Sequence, residues 1–201
     1  GCSLIYGFSN STNFNEISQN FNFEYGVIFG MVFVIVGLAF KISAVPFHMW
    51  APDVYQGSPT SVTLFFAILP KIAALSVFIN FLYTPFADMT NQWQSIIIFI
   101  SIASMLFGAV AAIGQKNLKR LIAYSSISHM GFVLIGIGSF SSLGTSGAML
   151  QMISHGLIGA SLFFLVGATY DRTRTLQLNE MGGVGQKMKI MFALWTVCSL
   201  A

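Results

Sequence analysis

Two lysines set the terms on which this chain can fold. Lys41 closes the apolar run GMVFVIVGLAF, and Lys71 stands between SVTLFFAILP and IAALSVFINFLY. An ammonium inside hydrocarbon costs about 3 kcal/mol by insertion scales and more by simulation, so such lysines usually face a polar interior. Each has a proline close by: Pro46 shortly after Lys41, and Pro70 immediately before Lys71. A proline inside a helix removes one backbone donor and frees the carbonyl four residues earlier, here Ile42 and Phe66. Bilayer helices tolerate such breaks where the freed groups line a cavity or meet other protein. A lysine beside a broken helix, twice over, is the pattern of an ion pathway.

The rest of the composition agrees with a membrane setting. The chain is 55% hydrophobic and only 7% charged, which places it among multi-span membrane proteins. The net charge of +3 argues nothing about nucleic acid, because the basic residues outside the spans fall in short connections. Cys2 and Cys198 lie near opposite ends with no CxxC or Cys/His cluster, so neither a disulfide framework nor a metal site is indicated. The chain opens on Gly1 without a basic stretch before an apolar one, and IMFALWTVCSLA stops partway through what reads as a span. Both ends suggest an internal piece of a longer protein.

Apolar runs of about 20 residues, enough to cross a ~30 Å core, predict an all-α polytopic bundle. Residues 1–24, rich in Asn and Ser, read as a polar loop or interfacial segment, and residues 25–201 as one transmembrane domain. Spans are expected from Tyr25 to about Val45, Ser61 to Tyr83, Ser95 to Gly114, Leu121 to Phe140 and Gly147 to Thr169. A sixth starts near Ile190. PFHMWAPDVYQGSPT, with three prolines, reads as a loop or re-entrant break, and SSLGTS as a short turn. Strict alternation then puts Lys116, Lys119, Arg120, Arg172, Arg174, Lys187 and Lys189 on one side. Glu16, Glu24 and Asp88 fall on the other. The positive-inside rule makes the basic side the cytoplasm or its organellar equivalent.

Five titratable residues are candidates for moving a proton: Lys41, Lys71, His48, His129 and His155. Lys41 lies near a span end, where a lysine can also snorkel to the headgroups. Lys71 has apolar or small residues on both sides and cannot easily do so. Burial favours its neutral form and a nearby carboxylate its charged form, the balance a relay site requires. His48 follows Lys41 by two helical turns and shares its face if the helix resumes after Pro46; an interfacial role is equally open. In AYSSISHMGF, Ser125 pairs with His129 and Tyr124 with Ser128 at i,i+4, a polar stripe that serves either helix packing or a proton wire. His155 sits in QMISHGLIGASLFF one turn after Gln151, where the glycines and alanine favour close helix approach. There is no Rossmann glycine pattern, P-loop or nucleophile elbow, and MGGVGQK reads as a flexible turn. No cofactor site is expected in this chain, and redox chemistry is not the work of these residues.

KISAVPFHMWAPDVYQGSPTSVTLFFAILPKIA and QKNLKRLIAYSSISHMGF together strongly resemble the antiporter-like membrane subunits of proton-pumping NADH:quinone oxidoreductase, respiratory complex I. The resemblance runs from about residue 25 to the C-terminus and is nearest to chain 2, the bacterial subunit N. From about Gly147 it is more like chain 4, the bacterial subunit M. It implies a piece of a roughly 14-helix subunit, with Lys41 as the central lysine of a discontinuous helix and Lys71 as a relay lysine on the next. His48 and His129 would continue the axis. The acidic partner of Lys41 would lie before residue 1, and the exit-side ionisable residue after residue 201. The resemblance further implies other membrane-arm subunits as partners, and flavin, iron–sulfur clusters and quinone in partner subunits. The location it implies is a bacterial or mitochondrial inner membrane ahead of a thylakoid. A subunit of a multisubunit cation/proton antiporter shares the lysine motifs and stays open as an alternative. So does a non-pumping membrane scaffold.

Overall fold

Among the described residues, five helices are long and apolar enough to cross a bilayer. The computed structural model describes residues 1–19 and 25–200; Glu24 and Ala201, which the sequence reading used, lie outside the described residues. The spanning helices are α3 (Tyr25–Ile42), α5 (Thr60–Tyr83), α6 (Thr90–Ile113), α7 (Leu118–Gly138) and α8 (Ser142–Thr173). Short helices α1 (Cys2–Ser9) and α2 (Phe14–Gln19) precede them, α4 (Trp50–Gly57) lies between α3 and α5, and α9 (Val184–Lys187) and α10 (Lys189–Leu200) follow.

Three local expectations change. The opening segment read as a polar loop or interfacial stretch begins with a helix, because its first residues CSLIYGF are apolar and Ile5 is buried against α3. SSLGTS is not a turn. The Ser141 hydroxyl accepts from Gly144 N–H at 3.1 Å and caps α8, while Thr145 and Ser146 turn their hydroxyls back onto helix carbonyls. Lys119 and Arg120 belong to the first turn of α7 rather than to a loop, where Asn117 caps Lys119 N–H at 3.0 Å. Lys119 is buried and donates to the Ser58 carbonyl at 2.7 Å.

The connections that charge counting placed on one side do meet. Leu118 N–H donates to Leu176 O and Leu178 N–H to Lys116 O, at 3.0 and 2.9 Å. Arg120 bridges from α7 to Asp53 at 2.5 Å and to Gln56 at 3.1 Å, both on α4. At the opposite end Gln94 donates to Gly138 O at 2.8 Å and Tyr83 to Ile137 O at 2.7 Å.

Packing follows small residues. A Cβ on Gly131 of α7 would stand 2.8 Å from Ser101 O, and one on Gly108 of α6 would stand 2.6 Å from Ser128 N. Such close approach is how helices associate where lipid removes the ordinary hydrophobic drive. Among the described residues the buried apolar side chains form two clusters. The larger takes Ala74, Leu75 and Phe78 of α5, and the smaller takes Tyr55, Ala67, Ile122, Ala123, Phe163 and Val166. Lys71 falls between them.

Candidate functional site

Lys71 is 3% exposed, so its charge has to be met inside the bundle. Its Nζ donates to Ser126 Oγ of α7 at 2.6 Å and stands 5.5 Å from the centroid of the Tyr55 ring on α4. A hydrogen bond from a charged donor contributes about 1.5–3 kcal/mol. Every carboxylate among the described residues is exposed, so the hydroxyl and the ring, rather than an ion pair, receive the ammonium.

From Lys71 a line of polar atoms crosses to α8. Ser126 Oγ lies 2.9 Å from His155 Nε2. Where that nitrogen carries no proton, the hydroxyl donates to it while accepting from Lys71. The His155 ring stacks on His129, with centroids 4.8 Å apart and planes inclined by 23°. Gln151 Nε2 stands 3.4 Å from His129 Nδ1. Ser126 and His129 are three apart on α7, and Gln151 and His155 four apart on α8, so each helix presents its pair on one face. A cavity of about 280 Å³ opens beside them, lined by Ser125, Ser126, His129, Gln151, His155 and Trp195.

The second proline has a specific partner here. Pro70 leaves Phe66 O without its usual helical donor, and the Tyr55 hydroxyl donates to that carbonyl at 3.3 Å. The break at Lys41 works differently. Helix α3 ends before Pro46: Ser43 takes the left-handed conformation at φ 64, and Ser43 N–H and Ala44 N–H close onto Phe40 O and Ala39 O. The Trp50 indole N–H adds a bond to Phe40 O at 2.7 Å. The Val45–Pro46 peptide is cis, and Val45 N–H donates to Ser104 Oγ at 2.9 Å.

Of the five candidates the structure brings three together: Lys71, His129 and His155. Lys41 is exposed in the last turn of α3 and has no hydrogen bond or ion pair among the described residues. His48 does not resume Lys41's helix face. It packs edge-on against Phe107 with centroids 4.6 Å apart and near Tyr124, and its Nδ1 is buried without a hydrogen-bond partner among the described residues. Burial pushes its imidazole below the ordinary range. Two participants escaped the sequence reading. Ser126 sits beside the Ser125 that was paired with His129, and three-residue spacing from His129 was the signal that could have found it. Tyr55 lay inside a segment read as loop or re-entrant.

The NADH:quinone oxidoreductase/Mrp antiporter transmembrane family matches residues 1–201. The chain belongs to this family. NADH-quinone oxidoreductase subunit N from Pelagibacter ubique is 64% identical over 164 residues, 81% of this chain and 35% of the relative. NAD(P)H-quinone oxidoreductase chain 4 from a Synechococcus is 54% identical over 192 residues, 90% of this chain and 35% of the relative. The chain thus spans about a third of the length of the curated relatives it matches. A chain of respiratory complex I from Thermus thermophilus superposes with a TM-score of 0.78 at 27% identity, over 99% of this chain and 42% of its own length. Relatives named for subunit N and for chain 4 both occur, in keeping with the two resemblances within the sequence. As a member of this antiporter-like family with five spanning helices, the chain is an integral membrane protein.

Proposed function

We propose that this chain is a proton-handling part of a membrane-arm subunit of NADH:quinone oxidoreductase, with residues 25–201 as one transmembrane domain. The observation that carries the reading is the hydrogen-bonded file from Lys71 through Ser126 to His155, inside spanning helices and without a carboxylate to lock it. The names of the matched relatives support the same assignment. The partners are other membrane-arm subunits. Flavin, iron–sulfur clusters and quinone belong to partner subunits, and the membrane is the bacterial inner membrane or its organellar counterpart.

In this reading the Lys71 ammonium gives a proton to Ser126 Oγ as the hydroxyl passes its own to His155 Nε2. The stacked His129 and the adjoining cavity offer the next station. The amine is recharged from Lys41, the exposed lysine at the end of α3, through groups that other parts of the subunit supply. Changes in local field and hydration, driven by quinone reduction elsewhere, decide the direction. His48 stands beside the α3 break, packed against Phe107 and Tyr124.

The test is the intact complex in proteoliposomes. Lys71→Ala is expected to abolish most of the pH gradient formed per NADH oxidised, with full subunit incorporation; an unaltered gradient removes the relay role and favours a scaffold. The family's description also names the Mrp antiporter, which favours a cation/proton exchanger as second reading. Mass spectrometry of the native complex separates the two, because flavin and iron–sulfur subunits accompany only the oxidoreductase.

A further inference from the structure

Tyr55 is fully buried, and both parts of its side chain have partners. The hydroxyl donates to Phe66 O, one turn before Lys71. The ring is fixed edge-on by Phe163 at 5.4 Å and by Trp50 at 6.3 Å, with interplanar angles of 89° and 87°. Its backbone carbonyl accepts from Thr63 Oγ1 at 3.3 Å, so α4 and the start of α5 hold it from below as well. The residues beside it in α4, Asp53 and Gln56, are tied to Arg120 of α7. A ring this constrained presents one fixed surface to Lys71 Nζ, 5.5 Å from its centroid.

We propose that Tyr55 is a positioning residue for Lys71, its ring face seating the ammonium beside Ser126. The proposal rests on the relay reading of Lys71. An aromatic face attracts the charged lysine through its quadrupole and offers the neutral amine almost nothing. The Ser126 hydroxyl serves both forms, since it can accept or donate. The ring therefore biases the seat towards the charged state, and its rigidity keeps Nζ within reach of Ser126. Other groups facing Lys71 act alike on any variant of Tyr55. His155 approaches from α8 through Ser126, with His129 of α7 stacked behind it. Helix α3 packs on α5 and brings Lys41, which is exposed, and Tyr25, which is also exposed. On α4 the nearest carboxylate, Asp53, is exposed and paired with Arg120.

The experiment measures proton translocation by the intact complex against pH for four forms: wild type, Lys71→Ala, Tyr55→Phe, and a form carrying trifluorinated phenylalanine at position 55. The last two share a shape and both lack the hydroxyl, and they differ in the charge of the ring face. Tyr55→Phe is expected to translocate more slowly, because Phe66 O loses its donor, while its alkaline limb stays within a few tenths of a unit of the wild type. The fluorinated form should move the alkaline limb to lower pH by about half to one unit, because an unsupported ammonium gives up its proton sooner. Superposable profiles for the two phenylalanine forms, with Lys71→Ala still defective, overturn the positioning role alone. Normal translocation by Lys71→Ala overturns the relay reading and this proposal with it.

Discussion

The hydroxyl of Tyr55 donates to the backbone carbonyl of Phe66 at 3.3 Å, the carbonyl that Pro70 leaves without a helical donor. A side chain from one element thus completes the backbone of another immediately before the buried lysine. Pro70→Ala would return a helical N–H to Phe66 O and release the Tyr55 hydroxyl. The complex should assemble normally and translocate protons several-fold more slowly per NADH oxidised. Unchanged translocation would mean that the proline bends the helix and does no more.

Ser126 carries the densest bonding at the site. Ser126→Ala removes the acceptor of Lys71 and the link to His155 in one step. Losing a charged hydrogen bond of about 1.5–3 kcal/mol predicts a fall in translocation of at least tenfold. Ser126→Thr keeps the hydroxyl and should restore most of it. Equal losses in the two variants would point to packing rather than to the hydroxyl.

The two stacked histidines are not equivalent. His155 bonds Ser126 directly, whereas His129 is reached through the ring stack and Gln151. His155→Phe should therefore impair the pH gradient more than His129→Phe. The opposite order would place the proton's route through α7 without His155.

Acid sensitivity is expected from His48. Burial holds its imidazole below the ordinary value of 6.5, so the unfolded chain takes up a proton first as the pH falls. The stability it contributes is complete above pH 6.5 and is lost as pH drops through the depressed folded value. His48→Phe, placed against Phe107 and Tyr124, removes this dependence. Melting temperatures from about pH 7.5 to about pH 5 should converge for the variant and diverge for the wild type. Parallel curves would assign the acid response to another group.

Gly131→Val brings a side chain against Ser101 O and Met105, where a Cβ alone would stand at 2.8 and 2.6 Å. Overpacking of this kind costs about 1–3 kcal/mol. Lower yield of assembled complex and a depressed melting temperature are expected; a wild-type melt would mean that α6 and α7 part easily.

Spans were legible because Leu, Ile, Phe and Val runs announce themselves by length alone, and Lys71 because apolar or small residues flank it on both sides. What stayed hidden depended on contacts between helices. Ser125 and Ser126 are neighbours in the sequence, and i,i+4 spacing selected Ser125; only the placement of α5 and α8 around α7 makes Ser126 the bonded one. The two-turn spacing of Lys41 and His48 misled because α3 closes at Ser43, a residue whose left-handed conformation its identity does not advertise. Tyr55 could not be separated from its proline-rich surroundings, since its burial arises from Phe163 of α8 and from α5 rather than from α4's own pattern.

The contacts of Gly108 and Gly131 also decide which parts of this protein are free to move. Helices α6 and α7 bring backbone close to backbone at both glycines, and Ser101 and Ser128 fasten them with bonds to Gly131 O and Met105 O at 2.8 and 3.1 Å. Sliding one past the other would break those bonds and drive atoms together, so the pair travels as one body and carries Ser126 and His129 with it. Lys71 and His155 ride on other helices. Any helix movement that makes or breaks the hydrogen-bonded file from Lys71 to His155 is therefore a displacement of α5 or α8 relative to the α6–α7 pair, and cross-links that tie α8 to α7 would block it where cross-links within the pair would not.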